Sequence, residues 1–271
     1  MRISVCNELF KGLSWEEVLS IVSEIGYEGI EVAPFTIARD IREVERARRS
    51  ELSALIRSYG LEVSALHWLL VSPPGLHLAH PNSLIRRKTV EYMGVLAQLC
   101  ADLDCNLMVL GSPNQRCSLP GQSRSEAWAL LRDSLKESVR LAEEWGVRVA
   151  LEPLAKHLTD MINTADEAVR MVEEVGSPYL VINLDVYSMT YEGRPYREII
   201  ARVNGLLAHF HANDTNGLGP GFGEADYEEI IAALRLVGYT GWLSVEVLAE
   251  VDNPVLMAKL CLKLLRQLLK R

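Results

Sequence analysis

Short apolar, β-branched runs alternate along this chain with longer amphipathic stretches. The runs lie near residues 2–7, 28–33, 61–67, 105–111, 147–152, 180–185, 206–211 and 242–247. Each is a few residues long and bounded by polar or glycine-containing segments, which is how a buried strand reads. Stretches of helical periodicity follow them, near 14–26, 38–59, 82–103, 123–145, 163–175, 195–203, 226–237 and 253–270. Eight strand–helix units in alternation predict a parallel sheet covered by helices. Eight of them further predict that the sheet closes on itself. The expected fold is therefore α/β, a single (β/α)8 TIM barrel domain over residues 1–271. An open doubly wound sheet fits less well, because no glycine-rich dinucleotide fingerprint follows the first strand. Boundary residues agree: Ser14 and Thr164 stand where helix N-caps belong, and Gly26, Gly60 and Gly146 follow helical stretches. The last stretch, VLMAKLCLKLLRQLLKR, carries more leucine than one buried face requires. It predicts either a cover for the barrel wall or a stripe for another subunit, so a homo-oligomer (dimer or tetramer) is an expected partner.

Strand side chains alternate between faces. In VRVALE, Val147, Val149 and Leu151 then face the helices, while Arg148, Ala150 and Glu152 face the barrel interior. The same count turns Asn183 and Asp185, His209 and His211, and Ser244 and Glu246 inward. Glu152, Asp185, His211 and Glu246 thus take the last inward position of strands five to eight, at the mouth where barrel enzymes keep their sites. Three carboxylates crowded there repel one another and raise each other's pKa values. A bound dication removes that conflict, and an oxygen-rich set with one imidazole suits Mn2+, Mg2+ or Co2+. Two glutamates beside such an ion can take a proton from a carbon next to a carbonyl and give it back. Return to the opposite face gives epimerisation, and return to the neighbouring carbon gives aldose–ketose isomerisation.

The segments carrying these residues are LEPL at Glu152, INLD at Asp185, HFHANDTNGLGPGFG from His209 and SVEV at Glu246, with GSPNQR after strand four. In them the chain resembles the xylose isomerase-like TIM barrel superfamily of sugar phosphate isomerases and epimerases, and within it the D-tagatose 3-epimerase (ketose 3-epimerase) branch. The resemblance implies one divalent metal ion, with Mn2+ first and Mg2+ or Co2+ as alternatives, held by Glu152, Asp185, His211 and Glu246. It implies Glu152 and Glu246 as the catalytic acid–base pair. The implied activity is 3-epimerisation or isomerisation of a ketose or ketose phosphate, by proton abstraction and return through an enediolate. Three positions depart from the branch: Leu158 stands in place of a glutamate, Ser188 of a histidine and Gly217 of an arginine. Those residues touch substrate hydroxyls in the family. The proton-transfer core is thus retained and the substrate-reading shell changed. The change leaves open a metal-dependent dehydratase or lyase, or a non-catalytic sugar-binding relative.

Other residues complete the expected site. His67 ends strand three at the mouth and is expected to touch substrate, with Ser188. Arg116, in the loop after strand four, is a candidate ligand for a substrate phosphate. Trp68 can wall the pocket. Glu31 is expected to support the site by hydrogen bonding, and His209 to be a structural polar residue one layer below His211. The glycine-rich segment Gly217–Gly223 reads either as a lid or as a tight turn. Composition narrows the partners. A net charge of −8 argues against nucleic acid. No apolar run reaches the ~18 residues of a membrane span. MRISVC reads as a strand rather than a secretory signal. Five cysteines without a CxxC pattern predict reduced thiols and a cytoplasmic location. The expected partner is a small-molecule sugar or sugar phosphate.

Overall fold

The computed structural model describes residues 1–270. Eight parallel strands close in chain order: β1 (Arg2–Cys6), β2 (Gly29–Val32), β3 (Glu62–Leu66), β4 (Leu107–Leu110), β5 (Arg148–Leu151), β6 (Leu180–Asp185), β7 (Leu207–Ala212) and β8 (Trp242–Val245). Closure comes from β1 pairing with β8, with Val5 opposite Val245. The helices are α1 (Trp15–Ile25), α2 (Arg46–Ser58), α3 (Ser83–Asp102), α4 (Arg124–Glu143), α5 (Ala165–Val175), α6 (Val186–Thr190), α7 (Tyr196–Arg202), α8 (Tyr227–Leu236) and α9 (Pro254–Lys270).

Local chemistry sets several boundaries. Ser14 accepts from the Glu17 N–H while the Glu17 carboxylate accepts from the Ser14 N–H, a reciprocal cap that starts α1. Thr164 caps α5 in the same sense through the Glu167 N–H. Gly26 ends α1 at φ 101°, a conformation few other residues adopt. The expected helix over 38–59 divides into a 3-10 turn, Ile41–Glu43, and α2. Buried Arg49 accompanies the break: its guanidinium donates to the carbonyls of Ile41 and Val44, both at 3.0 Å, and the Ile41 carbonyl also accepts from the Val44 N–H of the 3-10 turn at 3.1 Å. One further helix, α6, was not expected from periodicity. It is a single turn capped by Asp185, which accepts from the Ser188 N–H.

Outward strand residues such as Ile30, Val149, Ile182 and Phe210 pack with the helices in one continuous core. A second apolar cluster, Ala65, Leu107, Val109, Ala150 and Val181, fills one side of the barrel interior. The other side is filled with buried polar groups: Ser4, Glu31, Asn183, His209, His211 and Ser244. The interior is thus a polar half and an apolar half; the polar half is mostly hydrogen-bonded, with Ser4 Oγ, Asn183 Oδ1 and His209 Nδ1 left without a partner. Helix α9 spends most of its apolar face on the wall, burying Met257, Ala258, Cys261, Leu262, Leu265 and Leu268. Among the described residues no helix is long and apolar enough to cross a membrane.

Candidate metal and active site

The strand register aligns the site. Asp185 on β6 lies opposite His211 on β7, and His211 lies opposite Ser244 on β8. Glu152 and Glu246 come one residue after β5 and β8. Their N–H groups still bond to the neighbouring strands, at the carbonyls of Leu110 and Ala212, both 3.2 Å. All four side chains are buried. Each offers a ligand atom, and these atoms lie within 4.8 Å of one another. The inward positions counted from the sequence are therefore brought together.

Glu31 supports the cluster from below. One oxygen lies 3.0 Å from His211 Nε2 and the other 2.8 Å from His209 Nε2. This leaves His211 Nδ1 facing the carboxylates, 2.9 Å from Glu152 Oε1 and 3.2 Å from Glu246 Oε2. Asn183 donates to Glu152 Oε1 at 2.7 Å. Asp185 accepts from the Ser188 N–H at 2.7 Å and from the Asn213 amide. His67 stands between Glu8 and Glu246, with Nε2 2.9 Å from Glu8 Oε2 and Nδ1 3.6 Å from Glu246 Oε1.

The charges are strongly coupled. Burial pushes the Asp185 carboxyl well above the usual range, and the charges of Glu152 and Glu246 push further. Burial would raise Glu246 as well, but His211 and then His67 outweigh it and hold that carboxyl at about 2. Burial would lower His211, yet Glu246, Glu31 and Glu152 together raise it well above its ordinary value. The cluster thus holds its negative charge by keeping an imidazole protonated. A dication would do the same from the position that Nδ1 faces. The residues fit such an ion. Ligands ~2.1 Å from an octahedral ion are roughly 3 to 4 Å apart, compatible with the observed cluster. The donors are hard oxygens plus one imidazole. Glu31 fixes the other ring nitrogen, as outer carboxylates do for metal-bound histidines.

Arg116 is elsewhere than expected. Its side chain is fully buried and does not line the cavity. Nη2 donates to the Glu152 carbonyl at 2.6 Å and Nη1 to the Leu110 carbonyl at 3.4 Å. The 3-10 turn Pro113–Gln115 folds the loop back. The guanidinium thereby caps the ends of β4 and β5, and no face is left for a phosphate. Burial lowers its pKa to about 10, against the opposing charge of Glu152. Two contributors escaped sequence reasoning. Glu8 lies in the 3-10 turn Asn7–Phe10 directly after β1, so the strand-end rule that found the other four would have found it. Gly111 is the second: a Cβ there would lie 2.3 Å from Glu152 Oε2. Its only sequence signal is its place after β4.

Residues 19–268 match the xylose isomerase-like TIM barrel family. The chain belongs to this family. A D-psicose 3-epimerase of Enterocloster bolteae is 34% identical over 108 residues, which is 40% of this chain and 36% of that protein. The chain thus matches little more than a third of that relative's length. A fructoselysine 3-epimerase of Escherichia coli O157:H7 is 22% identical over 263 residues, covering 94% of this chain and 93% of that one. The crystal structure of D-psicose 3-epimerase with D-tagatose from Clostridium cellulolyticum H10 superposes with a TM-score of 0.87 at 20% identity over 99% of both chains. It shares the fold. The named relatives fall in the ketose 3-epimerase branch to which the motifs pointed.

In this family member a cavity of about 400 Å3 opens over the cluster. His67, Trp68 and Ser188 line it, and so do the departing positions Leu158 and Gly217. The glycine-rich segment is pinned as a turn. The Gly217 carbonyl accepts from Leu248 at 2.8 Å and Ala249 at 3.0 Å. Buried Asp214 accepts from the N–H groups of Thr215, Gly221 and Ala225.

Proposed function

We propose that the protein is a divalent-metal-dependent carbohydrate 3-epimerase or isomerase acting on a ketose. One observation carries the reading: two buried carboxylates, Glu152 and Glu246, meet the same face of His211 beside Asp185, at the floor of a cavity of substrate size. The named relatives are sugar 3-epimerases, which supports the same class. Glu152, Asp185, His211 and Glu246 would hold the ion, Mn2+ first and Mg2+ or Co2+ as alternatives. When bound, the ion would supply the positive charge that gathers adjacent substrate oxygens and offsets the charge left by proton removal.

The chain's own residues do the rest. One glutamate takes the proton from the carbon beside the carbonyl, and the other returns a proton. Asn183 fixes Glu152 through Oε1, and His67 stands beside Oε1 of Glu246, so each carboxylate is oriented before substrate arrives. Ser188 Oγ is buried without a partner at the cavity and is placed to meet a substrate hydroxyl. The test is proton NMR in D2O with metal-loaded protein, a ketose panel and a chelated control. Deuterium should enter at C3 only with metal. Glu152→Gln and Glu246→Gln should each slow exchange at least ~1,000-fold while the protein still melts cooperatively. Entry at C1 would instead assign aldose–ketose isomerisation, and unimpaired variants would overturn the acid–base assignment.

A further inference from the structure

The cavity has two unlike ends. Its floor is ionic, formed by the four-residue cluster with His67 and Ser188. Its outer wall is formed by Leu154, Leu158, Tyr187, Leu248 and Ala249. Leu158 and Leu248 are 37% and 40% exposed, large apolar side chains left facing an open cavity rather than packed away. Water against such a surface is unfavourable, and a ligand's apolar group would displace it.

Two polar groups of the lining, Trp68 Nε1 and Ser188 Oγ, are without a partner, whereas Asn216 and Tyr187, beside the apolar wall, are engaged. Asn216 donates to the Phe222 carbonyl at 2.7 Å and accepts from the Leu218 N–H at 3.1 Å. The Tyr187 hydroxyl lies 3.0 Å from His157 Nε2 and accepts from Tyr191. The rings of His157, Tyr187 and Tyr191 form an edge-to-face cluster with centroids 4.7 to 5.8 Å apart. This stiffens an aromatic margin next to Leu158. Among the described residues no lysine or arginine lines the cavity. Arg116 is buried behind the wall. Lys11 and Arg39 line a separate cavity that shares only Trp68 with this one. A phosphate on the sugar therefore has no cation to meet, and along the leucine and tyrosine wall the hydroxyls of a bare sugar tail would lose water without gaining a partner; the free Trp68 Nε1 and Ser188 Oγ belong to the rest of the lining.

We infer that the substrate is an uncharged ketosugar bearing an apolar or aromatic substituent at the end remote from its reacting carbons; this rests on the epimerase reading above. The ionic floor takes the carbonyl and its neighbouring hydroxyl, and the leucine and tyrosine wall takes the substituent.

Three compounds of one skeleton test it: D-fructose, D-fructose 6-phosphate and 6-O-benzyl-D-fructose. The readout is kcat/KM for deuterium entry at C3 with metal-loaded protein. The benzyl ether should exceed D-fructose by at least about tenfold, and the 6-phosphate should be slowest. The double variant Leu158→Gln, Leu248→Gln should lose that preference and keep its melting temperature, since both positions are at the rim. A 6-phosphate or free sugar that matches the benzyl ether overturns the inference. If no compound exchanges, the epimerase reading fails, and calorimetric Kd values for the same three compounds decide the wall separately. Tenfold tighter benzyl binding upholds it, and equal affinities overturn it.

Discussion

Glu152 reaches its place because residue 111 has no side chain. A Cβ on Gly111 would lie 2.3 Å from Glu152 Oε2, closer than real contacts allow. The flexible end of Glu152 would yield, so Gly111→Ala should move the carboxylate rather than unfold the barrel. A displacement near 1 Å costs on the order of 100-fold in rate. C3 exchange should fall by about that factor with a nearly unchanged melting temperature. A wild-type rate in the alanine variant would show that the contact does not set the carboxylate's position. At this scale the cluster residues were legible, because alternation along a strand fixes which face each occupies. Arg116 was not. Its destination depends on how a loop folds back onto carbonyls of β4 and β5, and no local pattern encodes that.

Between α5 and α6 the contacts are set by a carboxylate that pays for its burial. Glu192 accepts from the Ala165 N–H at 2.9 Å, at the first turn of α5. Burial raises its pKa from 4.5 to about 7, despite that hydrogen bond. The folded state therefore holds this proton more tightly than the unfolded chain does. The stabilisation is present below the unfolded value and is lost as pH rises between about 4.5 and 7. Glu192→Gln keeps an acceptor for Ala165 and cannot ionise. It should melt higher than the parent at pH 8 and show little difference at pH 4. The same increment at both pH values would mean that Glu192 does not titrate in this range. Periodicity located α5 but not α6, because one turn is too short for a repeat and Asp185 starts it with a side chain also needed in the cluster.

The barrel as a whole gathers buried negative charge at one mouth and balances it with imidazoles. A divalent ion that binds the folded form alone should stabilise it by mass action, about 2.7 kcal/mol at a hundredfold excess over Kd. Melting curves of chelated protein should accordingly shift upward by several degrees when Mn2+ is added, and Asp185→Asn should reduce the shift. No shift with Mn2+, Mg2+ or Co2+ would exclude the cluster as an ion site.

The sequence by itself determined the eight strand–helix units, the inward phase of Glu152, Asp185, His211 and Glu246, and the family. These follow from period, length and short motifs, all local properties of the chain. The tertiary structure alone decided which partners the groups around the cluster take. Glu31 reaches both His209 and His211 from across the barrel, 178 and 180 residues away in sequence. Glu8 comes to His67, and Arg116 turns inward to backbone carbonyls. Leu158 and Leu248, unremarkable as letters, become one apolar wall only when the ends of distant strands are drawn to the same mouth. Closure of the sheet makes these neighbours, and the strand register that closes it is a property of all eight strands together.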